Sequence, residues 1–183
     1  MIISLRGTHG SGKSTVVRTI LDRYPSERLG PEKKPLGYQL SIPGLDRHLM
    51  IVGGYRTACG GCDGIQPYAL IWPRVQEYAT IGHVLFEGAL VSSSYGNIGR
   101  ASEVYGNDMV FAFMDTPLEV CIQWIKNRRL SRGDTRDLDP RNCVSKFKTV
   151  LRSIEVAREL NRRVVIIDHK KAVPQILGLL QTK

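Results

Sequence analysis

Residues 7–14 read Gly7-Thr8-His9-Gly10-Ser11-Gly12-Lys13-Ser14 and follow directly on the apolar run Ile2-Ile3-Ser4-Leu5. Glycine at the first and sixth positions, then lysine and a hydroxyl residue, is the spacing of a P-loop. Each part has a chemical reason. Glycines let the chain curl until backbone N–H groups point inward at phosphate oxygens. Lys13 places a positive charge on the β and γ phosphates, and Ser14 is placed to ligand Mg²⁺. A helix starting near Lys13 adds the positive end of its dipole. Thr15-Val16-Val17-Arg18-Thr19-Ile20-Leu21 carries apolar residues at helical spacing, so the context is strand, loop, helix. The cradle is therefore expected to run from Gly7 through Thr15 and to hold ATP with Mg²⁺. His9 reads as a spacer within it.

A chain of 183 residues suits a single domain, 1–183, with an ordinary soluble composition of 42% hydrophobic and 23% charged residues. No apolar run approaches the ~20 residues that cross a bilayer. A P-loop beginning at residue 7 leaves no room ahead of it for a signal peptide, so a cytoplasmic protein is expected. The four cysteines, Cys59, Cys62, Cys121 and Cys143, are compatible with reduced thiols. Cys59-Gly60-Gly61-Cys62 has the spacing of half a zinc site, but one such pair is a weak signal and its glycines suggest a tight loop instead.

The net charge of +9 is concentrated. Residues 121–163 hold 12 Lys/Arg against 5 Asp/Glu, and the rest of the chain holds 14 against 12. A local positive field implies a polyanionic partner, either the triphosphate alone or a nucleic acid.

Along the chain, 2–6 reads as a strand and 13–24 as a helix ending before Pro25. A polar loop (25–35) leads to a hairpin insertion, about 36–56, with turn chemistry at Pro43-Gly44 and Asp46-Arg47. A glycine-rich loop (57–64) precedes a helical segment, about 65–80, that Pro73 kinks or restarts. His83-Val84-Leu85-Phe86-Glu87 is a buried-type strand, followed by a Ser/Gly loop and a short helix near 98–106. After the strand 109–115, Thr116, Pro117 and Glu119 suggest a capped helix with Cys121, Trp124 and Ile125 inward. A polar lid, about 131–141, precedes a helix of about 142–160 with Val144, Phe147, Leu151 and Ile154 on its apolar face. A last strand (164–168) and helix (172–181) complete the order. This alternation predicts an α/β fold: a five-stranded, mostly parallel sheet covered by helices on both faces, with the hairpin and an arginine-rich lid added.

Ligands in such sheets gather at the carboxyl ends of strands. Glu87 ends an apolar strand and precedes Gly88, so it suits a carboxylate near Mg²⁺, a base for an attacking hydroxyl, or a partner for Lys13 or an arginine. Asp115 and Asp168 stand at similar ends, where orienting a turn is the simpler role. Asp63, in a loop rich in glycine, reads either as a base or substrate contact or as the N-cap of the following helix. Arg74, further along, suits an acceptor phosphate or plain solvation. Arg128, Arg132 and Arg136 recur every four residues around the lid, either as a clamp on the transferred phosphoryl group or as a solvated basic surface.

From the P-loop through Glu87, the Asp115-Thr116-Pro117-Leu118-Glu119 turn and the arginine lid to Val165-Ile166-Ile167-Asp168, the chain resembles the nucleotide kinases of the P-loop group, thymidylate kinase included. It departs from thymidylate kinase at the third strand, where that family has an Asp-Arg pair and this chain has Glu87-Gly88. The 36–56 hairpin followed by Gly54-Tyr55-Arg56 and Cys59-Gly60-Gly61-Cys62-Asp63 is similar to phage DNA 5-hydroxymethyluracil kinases. That resemblance implies a phosphotransferase acting on the 5-hydroxymethyl group of uracil in DNA, a step toward hypermodified thymidine. A small-molecule nucleoside or nucleotide kinase is the alternative. A DNA acceptor agrees with the basic segment, and a base inside a duplex would have to be flipped out.

Overall fold

β1 (Ile2–Arg6) is buried along its whole length and lies between β5 (His83–Glu87) and β6 (Met109–Met114), pairing parallel with both. The computed structural model describes residues 1–56, 60–93 and 104–182. β4 (Leu49–Val52) pairs parallel with the far edge of β5, and β7 (Val164–Ile167) with that of β6. Strands apolar on both faces need cover on both, and the flanking helices provide it.

Among the described residues the sheet has seven strands in the order β2-β3-β4-β5-β1-β6-β7, two more than the five expected. β3 (Gly37–Leu40) pairs antiparallel with β4, so the 37–52 segment is continuous with the main sheet through β4. β2 (Ser26–Leu29) pairs antiparallel with β3, inside the stretch read as a polar loop. Its residues are mostly exposed, so this edge strand is held by backbone pairing and carries no burial pattern to read.

α1 (Lys13–Arg23) buries Val16, Val17 and Ile20 on one face of the sheet, in a core shared with Ala172, Ile176 and Leu180 of α6 (Ala172–Gln181). The opposite face holds α2 (Ile71–Ile81), α3 (Ala89–Ser93) and α5 (Arg141–Glu159), packed over Phe86, Phe111 and Phe113. Pro73 sits in the first turn of α2, after a short 3₁₀ turn (Tyr68–Leu70); a missing N–H costs no helical bond there.

α4 (Leu118–Leu130) corrects one local reading. Thr116 makes no cap; its hydroxyl donates to the Ser11 carbonyl at 2.8 Å, and Pro117 stands at the N-cap. Cys121 and Ile125 are buried, whereas Trp124 is 41% exposed. On α5 the buried positions are Cys143, Val150, Ser153 and Ala157, and Leu151 faces outward. The short helix expected near 98–106 falls mostly outside the described residues. Residues 131–140 form turns and irregular chain between α4 and α5. Among the described residues no helix is long and apolar enough to cross a membrane.

Candidate active site

Burying β1 fixes where the P-loop starts, and α1 fixes where it ends. Between them Gly10 takes φ +76°, and a side chain there would run into the Cys121 carbonyl of α4. Lys13 is buried, and its ammonium group donates to the carbonyls of Gly7 (2.9 Å) and Thr8 (3.0 Å). The Ser14 hydroxyl donates to Glu87 Oε1 at 2.8 Å, joining the start of α1 to the end of β5.

Glu87 is almost wholly buried, and burial raises its pKa, with Lys13 and the Ser14 hydrogen bond pulling the other way. Lys13 mirrors it: burial lowers the ammonium pKa and Glu87 opposes the shift. Two opposite charges in one dry pocket each limit the other's cost. The buried Tyr55 phenol lies beside them, its pKa pushed well up first by burial and then by the Glu87 charge.

The glycine-rich loop closes this corner. Gly61 (φ +75°) lies so near Glu87 that an added Cβ would stand 2.6 Å from Oε1, and only glycine permits the approach. Asp63 follows on the rim. Both its carboxylate oxygens accept from the Ala89 N–H (2.8 and 3.0 Å), so it caps α3 across space instead of a helix that follows it in sequence. Cys62 is a buried free thiol with its pKa pushed well up by burial, and Cys59 lies outside the described residues.

A cleft of about 270 Å³ brings together His9 through Thr15 with Arg18, Asp63, Glu87, Trp124 and Arg128. Gly7 and Thr8 are buried and lie outside its lining, joined to it through the Lys13 ammonium. Burial, with Lys13 next, lowers the pKa of His9. Arg132 and Arg136 lie outside the cleft; Arg136 is exposed and paired with Asp134 at 2.8 Å within its own loop. A second cavity of about 420 Å³ shares Ser11, Gly12, Thr15 and Trp124 with the cleft and runs on to His169, Lys170 and Pro174. His169 stands edge-on to Trp124 with ring centroids 6.2 Å apart. Asp115 accepts from the His169 backbone at 2.8 Å and contacts its ring at 2.9 Å, which pins the turn after β7 to the end of β6.

Tyr55, Thr116, Trp124 and His169 were not singled out for the site by sequence. Trp124 had a signal, an aromatic within a helix whose other apolar residues already completed the buried face.

A strand-to-helix anion cradle with its lysine, and a buried carboxylate hydrogen-bonded to the cradle's serine, is the equipment of a phosphotransferase. The protein is a kinase. No family model matches the chain. It is 36% identical over 185 residues to the 5-hmdU DNA kinase of Pseudomonas phage PaMx11, spanning 98% of this chain and 97% of that protein. The corresponding kinase of Pseudomonas phage M6 is 30% identical over 191 residues, with the same spans of 98% and 97%. That of Delftia phage PhiW-14 is 25% identical over 171 residues, spanning 85% of this chain and 63% of its own length. The chain belongs to the 5-hmdU DNA kinase family. A gluconokinase from Sinorhizobium meliloti 1021 shares the fold at 16% identity, with a TM-score of 0.51 over 97% of this chain and 90% of its own.

Proposed function

We propose that this kinase transfers the γ-phosphoryl group of ATP to the 5-hydroxymethyl oxygen of 5-hydroxymethyluracil in DNA, inside a phage-infected cell, as a step toward thymidine hypermodification. The observation that carries the reading is 36% identity to a 5-hmdU DNA kinase across nearly the whole of both chains. In the reaction the hydroxymethyl oxygen bonds to the γ phosphorus, the bond from that phosphorus to the β–γ bridging oxygen breaks, and the hydroxyl proton leaves.

The site supplies a group for each requirement. The paired oxygens of Ser14 and Glu87, 2.8 Å apart, are hard donors of the kind Mg²⁺ takes, and together they fit that ion. When bound, the ion would neutralise charge on the phosphate oxygens. Lys13 turns from the Gly7 and Thr8 carbonyls to the phosphates, and the loop amides from Gly7 to Thr15 line the polyphosphate. Arg128 neutralises the transferred group. Arg132 and Arg136 join it on closure of the 131–141 lid. Asp63, exposed at the rim and fixed by two α3 amides, takes up the hydroxyl proton. The adenine occupies the cavity walled by Trp124 and His169.

Labelled ATP offered with hydroxymethyluracil-containing DNA should label the polymer, with thymine DNA remaining blank. Label confined to free nucleoside or nucleotide would refute the DNA acceptor. Lys13→Ala should cut transfer at least several hundred-fold, the scale of a lost electrostatic stabiliser.

A further inference from the structure

A third cavity, of about 450 Å³, has Asp63 in its lining and no residue of the P-loop; its volume is within the roughly 300–1,000 Å³ range of small-molecule pockets. Asp63 lines both this cavity and the phosphate cleft, so one carboxylate stands where the two spaces meet. The walls are apolar or bare: Pro35, Leu36, Ile65 and Leu70 face Gly54, Gly60 and Gly64. Bare peptide planes and aliphatic side chains suit a flat ring. The same lining carries four cations, the exposed Lys33, Lys34 and Arg56 and the half-buried Arg74. Arg56 is steadied by the Glu32 carbonyl (2.8 Å), and Arg74 by Glu77 (3.5 Å) and the Tyr78 ring. An apolar hole with cations in its lining and opening onto a phosphate-transfer site matches a single nucleobase attached to a charged backbone.

Resting on the proposed DNA acceptor, we infer that this cavity receives the acceptor base, flipped out of its strand, while Lys33, Lys34, Arg56 and Arg74 hold the flanking phosphates. The base enters with its 5-substituent toward Asp63, so the hydroxymethyl group crosses into the phosphate cleft. Gln66, also in the lining, offers an amide donor and acceptor complementary to N3–H and O4 of a uracil edge. Backbone contacts give affinity without sequence, and the cavity selects the base.

Gly64 provides the test, because a Cβ added there meets nothing within 4 Å and its backbone is not left-handed. Gly64→Leu should fill the cavity, raising KM for hydroxymethyluracil DNA at least tenfold while the calorimetric Kd for Mg·ATP stays within twofold. Lys33→Ala with Lys34→Ala should lower the slope of log DNA affinity against log salt by about one to two. Wild-type KM in Gly64→Leu, or an unchanged slope in the lysine variant, would overturn the assignment. Should Gly64→Leu fail to fold, the salt slope decides alone. Wild-type protein that leaves hydroxymethyluracil DNA unlabelled would refute the DNA reading and this cavity with it; labelling by wild type with both variants unaffected refutes only the cavity.

Discussion

Lys13 and Glu87 are opposed charges that burial drives in opposite directions, and their shifts set a testable pH dependence. Burial raises the Glu87 pKa above the usual 4.5, so the carboxyl takes a proton at a pH where an exposed glutamate would not. Acidification through that raised value removes the anion that accepts from Ser14 and that the proposed metal site would use. The acid limb of kcat/KM is thus expected above 4.5, and raising free Mg²⁺, which favours the anion, should move it to lower pH. Profiles at two Mg²⁺ concentrations check this; a limb indifferent to metal would remove Glu87 from metal binding. Arg6 poses a different problem. It is fully buried against the Phe111 and Phe113 rings, with its Nε on Ser4 and its two terminal nitrogens without hydrogen-bond partners among the described residues. Burial lowers its pKa from 12.5 to about 10, so its proton is held at a cost everywhere below that value. A shift of that size is worth about 3 kcal/mol, of which the desolvated ring contacts return about 2. Arg6→Met is expected to raise Tm by roughly 2–4 °C at neutral pH, and a lower Tm would show that the guanidinium stabilises the fold. The P-loop residues and Glu87 were legible because phosphate chemistry dictates residue types at fixed spacing. Arg6 was not, since it belongs to no local pattern, and Tyr55 stood within the Gly54-Tyr55-Arg56 pattern without a sign that its phenol reaches Glu87.

At the scale of elements, local signals failed where a distant partner offered more. Thr116, Pro117 and Glu119 carry the pattern of a capping box, yet the Thr116 hydroxyl bonds to the Ser11 carbonyl, 105 residues away in sequence. That bond ties the entry of α4 to the floor of the P-loop. Thr116→Val removes the donor and leaves a buried carbonyl without it, a loss of about 1–2 kcal/mol, or roughly 2–8 °C in Tm. A thermal melt alongside KM for ATP tests the idea: both should worsen together, and an unchanged melt would show the bond to be energetically silent. Strands β1, β5 and β6 were legible as continuous apolar runs, the mark of strands covered on both faces. β2 was not, because Ser26-Glu27-Arg28-Leu29 has neither that mark nor an alternation. The inner face of α5 was read only in part: Ile154 packs against the core, whereas Leu151 faces outward and the small residues Ser153 and Ala157, which carry little hydropathy signal, are buried.

For the whole molecule, ion pairing locates the acids of the basic segment without reducing its excess. Arg136 pairs with Asp134, Arg141 with Asp139, and Arg152 with Glu155 and Glu159, but these acids are already set against the 12 cations of 121–163, so the net positive charge there stands. Such exposed pairs add little stability. The cations around Lys33 and Arg74 belong to a part of the chain that the count passed over. The single-domain reading has its own consequence, because one seven-stranded sheet joins the phosphate cradle to both cores. If those parts unfold as one, Mg·ATP at 100 times its Kd adds about 2.7 kcal/mol to the entire fold. Far- and near-ultraviolet dichroism should then follow one transition, moved up together by roughly 5–11 °C. Two transitions, with only one responding to nucleotide, would mean that the β2–β4 edge and the P-loop core melt independently, and the cradle would then be stabilised without the wall proposed for the acceptor.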